Sequence, residues 1–196
     1  MNLLFFETAA GEPFLAVQSA PEPTGEASPG DETLWRRIRS GVQDSYRKLK
    51  DRFDHAERVC SAIRHAQSLS VIHPARLSPE QVQKKLLDFF KLRYSKHGRW
   101  LVVDFLLAGA GSVLTPLPGP NVFFFYPAVR ALSHYFARSG AGKGLQVELS
   151  FAAEPLLDSV ESHLGRLEAV EEPIQELERR YSVDGLMEQI KTLKGS

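Results

Sequence analysis

Residues 100–115 read WLVVDFLLAGAGSVLT, residues 116–121 PLPGPN, and residues 122–137 VFFFYPAVRALSHYFA. About 25 residues between Asp104 and Arg130 carry no charge, a length that as one helix would cross a bilayer. One helix is excluded, because Pro116, Pro118 and Pro120 remove backbone donors and clash with the turn before them. Two apolar arms of about 16 residues remain, each reaching roughly 24 Å, short of the roughly 30 Å hydrocarbon core. The stretch predicts a helical hairpin, dipping into a membrane or buried in a protein core.

The flanks bear on that choice. Lys84, Lys85, Lys91, Arg93, Lys96 and Arg99 precede the hairpin, and Arg130, Arg138 and Lys143 follow its turn. Positive flanks resist translocation, so this pattern fits a segment that enters and leaves on one cytoplasm-like side. Trp100, Tyr126 and Tyr135 are candidate interfacial anchors, though soluble cores use the same residues. A mean hydropathy of −0.22 suits a buried hairpin in a globular protein equally.

The chain has 196 residues, 43% of them apolar, enough for one substantial core. Its net charge of zero is unevenly spread: residues 1–30 carry four acids and no base, 31–100 sixteen bases and eight acids, and 143–196 six bases and eleven acids. The basic stretch alternates with acids at helical spacing, which reads as a solvated helix face, and no nucleic-acid motif accompanies it. Cys60 is the only cysteine, which excludes an internal disulfide. The opening MNLLFFETAAGEPF lacks a basic leader region and any arginine, so it reads as neither a secretory signal nor a transit peptide.

Working outward, Asn2–Phe6 and Phe14–Gln18 predict a small β-hairpin, and SAPEPTGEASPG at 19–30 a flexible proline-rich linker. From Asp31 an apolar stripe through Trp35, Ile38, Val42, Tyr46, Leu49, Phe53, Ala56, Val59 and Ile63 predicts a long amphipathic helix. Ser78-Pro79-Glu80-Gln81 is a helix start, with Ser at the cap and Gln three residues on. After the hairpin, Ser139–Gly144 predicts a glycine-rich connector, and Leu145, Val147, Leu149 and Phe151 alternate as a strand. Glu154-Pro155 opens a last helix whose Val160, Leu164, Leu167, Ile174, Leu177 and Tyr181 approach heptad spacing, a candidate coiled-coil contact. Pro173 is expected to break or kink it, and Asp184-Gly185 to end it before a short terminal helix.

Chemistry-bearing motifs are few. Ser139–Gly144 fails the phosphate-loop pattern, since Ala137 and Gly144 stand where glycine and Ser/Thr belong. Six histidines are scattered without metal-ligand spacing, so surface or capping roles are their default, and no nucleophile elbow exists. Asp104 stands out because an unpaired carboxylate within an apolar arm is expensive. Arg130 and His134 on the returning arm are its candidate partners, either as a salt bridge or in ion or proton movement. Ala108, Gly109, Ala110, Gly111 and Ser112 make one side of the first arm small and permit close helix approach.

The run Leu114–Tyr126, followed by Arg130, Ser133, His134 and Ala137, resembles the mitochondrial K+/H+ exchange-related protein family. The resemblance is sharp over roughly residues 95–140. It implies an inner-membrane-associated protein connected with potassium–proton exchange, as transporter or supporting factor. The missing targeting segment favours a bacterial relative, at the inner membrane or its cytoplasmic face; in a eukaryote the mitochondrial inner membrane is implied. Asn121 lies within the matching run and joins Asp104, Arg130 and His134 as candidates for an ion path or functional pairing.

The expected fold is mainly α with a small β element (α+β), long amphipathic helices surrounding the Pro-Gly-rich apolar hairpin. Its divisions are a β-hairpin at 1–18, the linker at 19–30, basic amphipathic helices at 31–99, the apolar hairpin at 100–137, a glycine-rich loop and strand at 138–153, and acidic helices at 154–196. Pro116, Pro118, Gly119 and Pro120 form the hairpin turn. The expected role is a membrane-associated factor in monovalent cation homeostasis, acting with other protein subunits or by self-association through its helices. No catalytic residue, cofactor, metal or nucleic acid is expected. The alternative is a soluble, cytoplasmic helical scaffold that buries the hairpin and binds proteins.

Overall fold

The computed structural model describes residues 1–8, 11–18, 55–112, 122–164, 167–183 and 185–194. The linker expected at 19–30, the stripe residues from Trp35 to Phe53, the turn residues Pro116, Pro118, Gly119 and Pro120, and Asn121 lie outside them. Strands β1 (Asn2–Glu7) and β2 (Pro13–Val17) pair antiparallel, as their short apolar runs predict. Helix α1 (His55–Ile63) then leads to β3 (Ser68–His73), which lies parallel to β1. The long helix α2 (Pro79–Ser112) and its returning partner α3 (Val122–Gly144) connect β3 to β4 (Glu148–Ala153), parallel to β3. Helices α4 (Pro155–His163), α5 (Leu167–Tyr181) and α6 (Leu186–Lys194) follow. The sheet order is β2-β1-β3-β4, and the mainly helical fold with a small β element is what the sequence predicts.

Side chains alternate between sheet faces, and here both faces are apolar. Leu3, Phe5, Leu15, Leu69 and Val71 face a core shared with α1 and the base of α2 and α3. Leu4, Phe6, Phe14, Ala16 and Ile72 face a second core closed by α4, α5 and α6. Burying Phe5 and Phe6 completely contributes roughly 1.5–3 kcal/mol each against exposure. The capping box forms as expected: the Ser78 N–H donates to Gln81 Oε1 at 2.9 Å, and the Gln81 N–H to Ser78 Oγ at 3.4 Å.

Several expectations are corrected. Strand β3 interrupts the helices expected over 31–99, and β4 pairs with it. No helix boundary falls at residue 100, because α2 runs unbroken from Pro79 to Ser112. The glycine-rich loop expected from 138 is helix as far as Gly144. Those glycines serve close packing: a Cβ on Gly140 would overlap the Cys60 carbonyl of α1, and one on Gly144 would press on the Phe90 ring. The C-terminal helix divides before Leu167, and Pro173 lies inside α5. The near-heptad stripe is no coiled coil, since Val160, Ile174 and Leu177 dock on the sheet. Gly185, at φ +71°, separates α5 from α6.

Helix propensity and packing make opposite predictions at Gly140. Propensity alone favours Gly→Ala by about 1 kcal/mol in a helix interior. At Gly109, where nothing lies within 4 Å of an added Cβ, Gly109→Ala is expected to stabilise by up to about that amount. Gly140→Ala is expected to destabilise by about 1–3 kcal/mol through overpacking. Urea midpoints of both variants check this, and a stabilised Gly140→Ala would show that α1 and α3 separate freely.

Candidate functional site

Beyond the sheet, the buried stripe of α2 narrows to His97, Asp104, Ala108 and Gly111, all facing α3. Seven, four and three residues apart, they keep one face of the helix. Opposite them α3 buries Ser133, His134, Ala137, Gly140 and Ala141. Near the outer end, a Cβ on Gly111 would overlap the Phe123 carbonyl. Pro127 lacks the N–H that would bond that carbonyl within α3.

At the level where this pair leaves the core, a polar cluster joins three helices. Glu57 of α1, His97 of α2 and His134 of α3 are all buried. Their ligand atoms lie within 4.8 Å of one another. His97 Nδ1 and His134 Nδ1 are 3.1 Å apart, and Glu57 Oε1 lies 3.8 Å from the first and 3.5 Å from the second. The other carboxylate oxygen, Oε2, accepts from the Ser133 hydroxyl at 3.4 Å and lies 3.7 Å from Arg130 Nη1.

On the outer side, Asp104 Oδ2 is 3.4 Å from His134 Nε2. Arg130 Nη2 donates to the same nitrogen at 3.2 Å, which requires Nε2 to accept and places the His134 proton on Nδ1. Asp104 Oδ2 then receives no hydrogen bond among the described residues. Burial raises the Asp104 carboxyl above its ordinary value, and the Arg130 charge opposes that rise. Burial, with Arg130 and Lys96, pushes the His134 imidazole down to about 4. The two groups are thus shifted in opposite directions, the carboxyl upward and the imidazole downward.

Of the sequence candidates, Asp104, Arg130 and His134 meet in this cluster, and Asn121 lies outside the described residues. Glu57 and His97 belong to it and were missed, and the surface role expected of histidines fails for His97 and His134, both buried. The signals were faint. Glu57 neighbours the apolar face of a short helix, and His97 stands seven residues before Asp104 on one helical face.

A family model described as mitochondrial K+-H+ exchange-related matches residues 28–147. The chain belongs to this family. The K+-H+ exchange-related match takes in α1, β3, α2 and α3, hence every residue of the cluster, and leaves out β1, β2, β4 and the C-terminal helices. Neither a curated protein nor a solved structure matches the chain.

The acidity of His134 has a sign that unfolding can read. Its folded value lies below the unfolded 6.5, so stability is full above pH 6.5 and is lost as pH falls towards 4. Burial works to raise Glu7 and Glu154, but Lys85 and Arg76 on Glu7, and Tyr181 and Arg180 on Glu154, hold both below 4.5, so their loss comes at lower pH. Asp104, being raised, acts in the opposite sense. Between pH 7 and 5 the wild type is expected to lose roughly 1–2 kcal/mol of unfolding free energy. His134→Gln should lose markedly less over that interval. Equal losses in urea titrations at the two pH values would show that His134 titrates as in water.

Proposed function

We propose that this chain is a membrane-associated factor in potassium–proton exchange or monovalent cation homeostasis, with the outer α2–α3 arm seated in one leaflet. The observation that carries the reading is the arm's outward surface. Val102, Phe105, Leu106, Leu107, Phe123 and Phe125 are each more than half exposed, Phe105 by 72%. Contiguous exposed apolar surface of this kind marks a protein or membrane contact.

Dimensions and flanks support lipid as that contact. From Trp100 to Ser112 the arm extends roughly 18 Å, a little more than half the hydrocarbon thickness. Trp100 and Tyr135 are half exposed near His134, at the arm's base, and Lys91, Lys96, Arg99 and Arg138 lie on the sheet side. That order, basic residues, then aromatic rings, then aliphatic and phenyl side chains, matches the order of headgroup, interface and hydrocarbon. Among the described residues no helix is long and apolar enough to cross a membrane. A transport path therefore has to come from oligomers or other subunits, with this chain contributing an arm and the proton-holding cluster at its base. The family's description supports a mitochondrial association, to which this reading adds the inner membrane, or that of a bacterium, and no enzymatic step belongs to it.

Membrane fractionation of the chain in its native host tests it. The wild type is expected in the carbonate-washed pellet, released only by detergent. The double variant Phe105→Asp/Leu106→Asp should bind vesicles containing anionic lipid at least a hundredfold more weakly, since each apolar side chain contributes roughly 1.5–3 kcal/mol. Its urea midpoint should not change, because both positions face outward. Wild-type protein recovered in the soluble fraction would favour the scaffold reading, with another protein covering the arm.

A further inference from the structure

We propose that Glu57, His97 and His134 form a binding site for one divalent transition-metal ion of the imidazole-preferring class, Zn2+ foremost. The inference rests on the geometry of three helices and is independent of whether the arm enters lipid.

A tetrahedral ion with metal–nitrogen and metal–oxygen distances of about 2.0–2.2 Å holds its ligand atoms roughly 3.4 Å apart. The triangle of His97 Nδ1, His134 Nδ1 and Glu57 Oε1 has edges of 3.1, 3.5 and 3.8 Å. Three donor atoms from positions 57, 97 and 134 thus stand at the separations such an ion requires. Two imidazoles with one carboxylate suit Zn2+ and its first-row neighbours and disfavour hard alkali cations such as K+.

The surroundings fit the same assignment. Ser133 and Arg130 engage Glu57 Oε2 and leave Oε1 directed at the histidines. Asp104 lies 3.4 Å from Nε2 of His134, the position from which a carboxylate orients a metal-bound imidazole. Burial keeps His134 neutral down to about pH 4, the protonation state a ligand needs. With the ion on Nδ1, the His134 proton resides on Nε2 and is donated to Asp104, and the Arg130 contact to that nitrogen is released. Three protein ligands leave a fourth position for water.

The test uses the tag-free full chain, stripped with a chelator and titrated with Zn2+ by calorimetry and with Co2+ by visible absorption. One ion per chain is expected, with the strong d–d bands of tetrahedral Co2+ and their loss on adding Zn2+. Glu57→Gln and His97→Gln should each weaken Zn2+ binding at least a hundredfold, and Asp104→Asn about ten- to a hundredfold. His163→Gln, at an exposed histidine, should change nothing. Should the buried variants fail to fold, the wild type decides alone, through a saturable rise in Tm with Zn2+. Absence of stoichiometric binding or of that rise, a weak octahedral Co2+ spectrum, or affinity unchanged in folded Glu57→Gln would overturn the assignment.

Discussion

The constraint on which the rest depends is a mismatch of lengths. Helix α2 has 34 residues, roughly 51 Å at 1.5 Å per residue. The strands it covers have five or six, about 20 Å at 3.3 Å per residue. A sheet of that size has partners for the first half of the helix only. Where the sheet ends, the broad apolar contact of Val82, Leu86, Phe89 and Phe90 gives way to the narrow stripe of His97, Asp104, Ala108 and Gly111. Beyond that line, among the described residues, each helix packs against the other, and close approach through small residues replaces large interlocking side chains. The outward faces of the two helices carry exposed apolar side chains.

The polar cluster sits on that line, and its position has an energetic reason. Carboxylates removed from water lose several kcal/mol of hydration each, and recover it only through well-placed partners. Arg130 lies beside Glu57 and acts on Asp104, and its own side chain remains partly solvated, which lowers the cost of the group. Deeper in the sheet core no solvated cation would reach; farther out the helices are too close to hold side chains of this size. The crossover from core to arm is the level that admits two acids, two imidazoles and a guanidinium. Apolar residues of equal volume often fill such a space as stably, so stability alone does not account for the cluster.

What was legible in the sequence was what local physics decides. Prolines forbade a single span, the Ser78–Gln81 spacing gave a cap, and Asp104 demanded partners that the turn placed on the returning arm. What was not legible depends on contacts far apart in the chain. Strand β3 carries Leu69, Val71 and Ile72 in a short mixed segment whose strand character comes from pairing with β1 and β4. The glycines from 140 to 144 look like a loop until the Cys60 carbonyl and the Phe90 ring are seen to need their missing side chains. Glu57 and His97 are 40 positions apart, and only the docking of α1 across the hairpin gives them a common neighbour in His134.

The donor set of the cluster also limits what it would contribute under the proposed role in potassium–proton exchange. Selective K+ coordination replaces a hydration shell by many oxygens, most often rings of backbone carbonyls. Here the converging atoms are two imidazole nitrogens and carboxylate oxygens, and their chemistry is that of protons and borderline transition metals. Burial raises the Asp104 carboxyl and lowers the His134 imidazole, and the proposed proton-holding role draws on that pair. A potassium half requires many coordinating oxygens, whereas the described outward face of the α2–α3 arm presents phenyl and aliphatic side chains. Under the proposed reading the cluster therefore belongs with the proton or a transition metal, and potassium coordination is to be sought elsewhere.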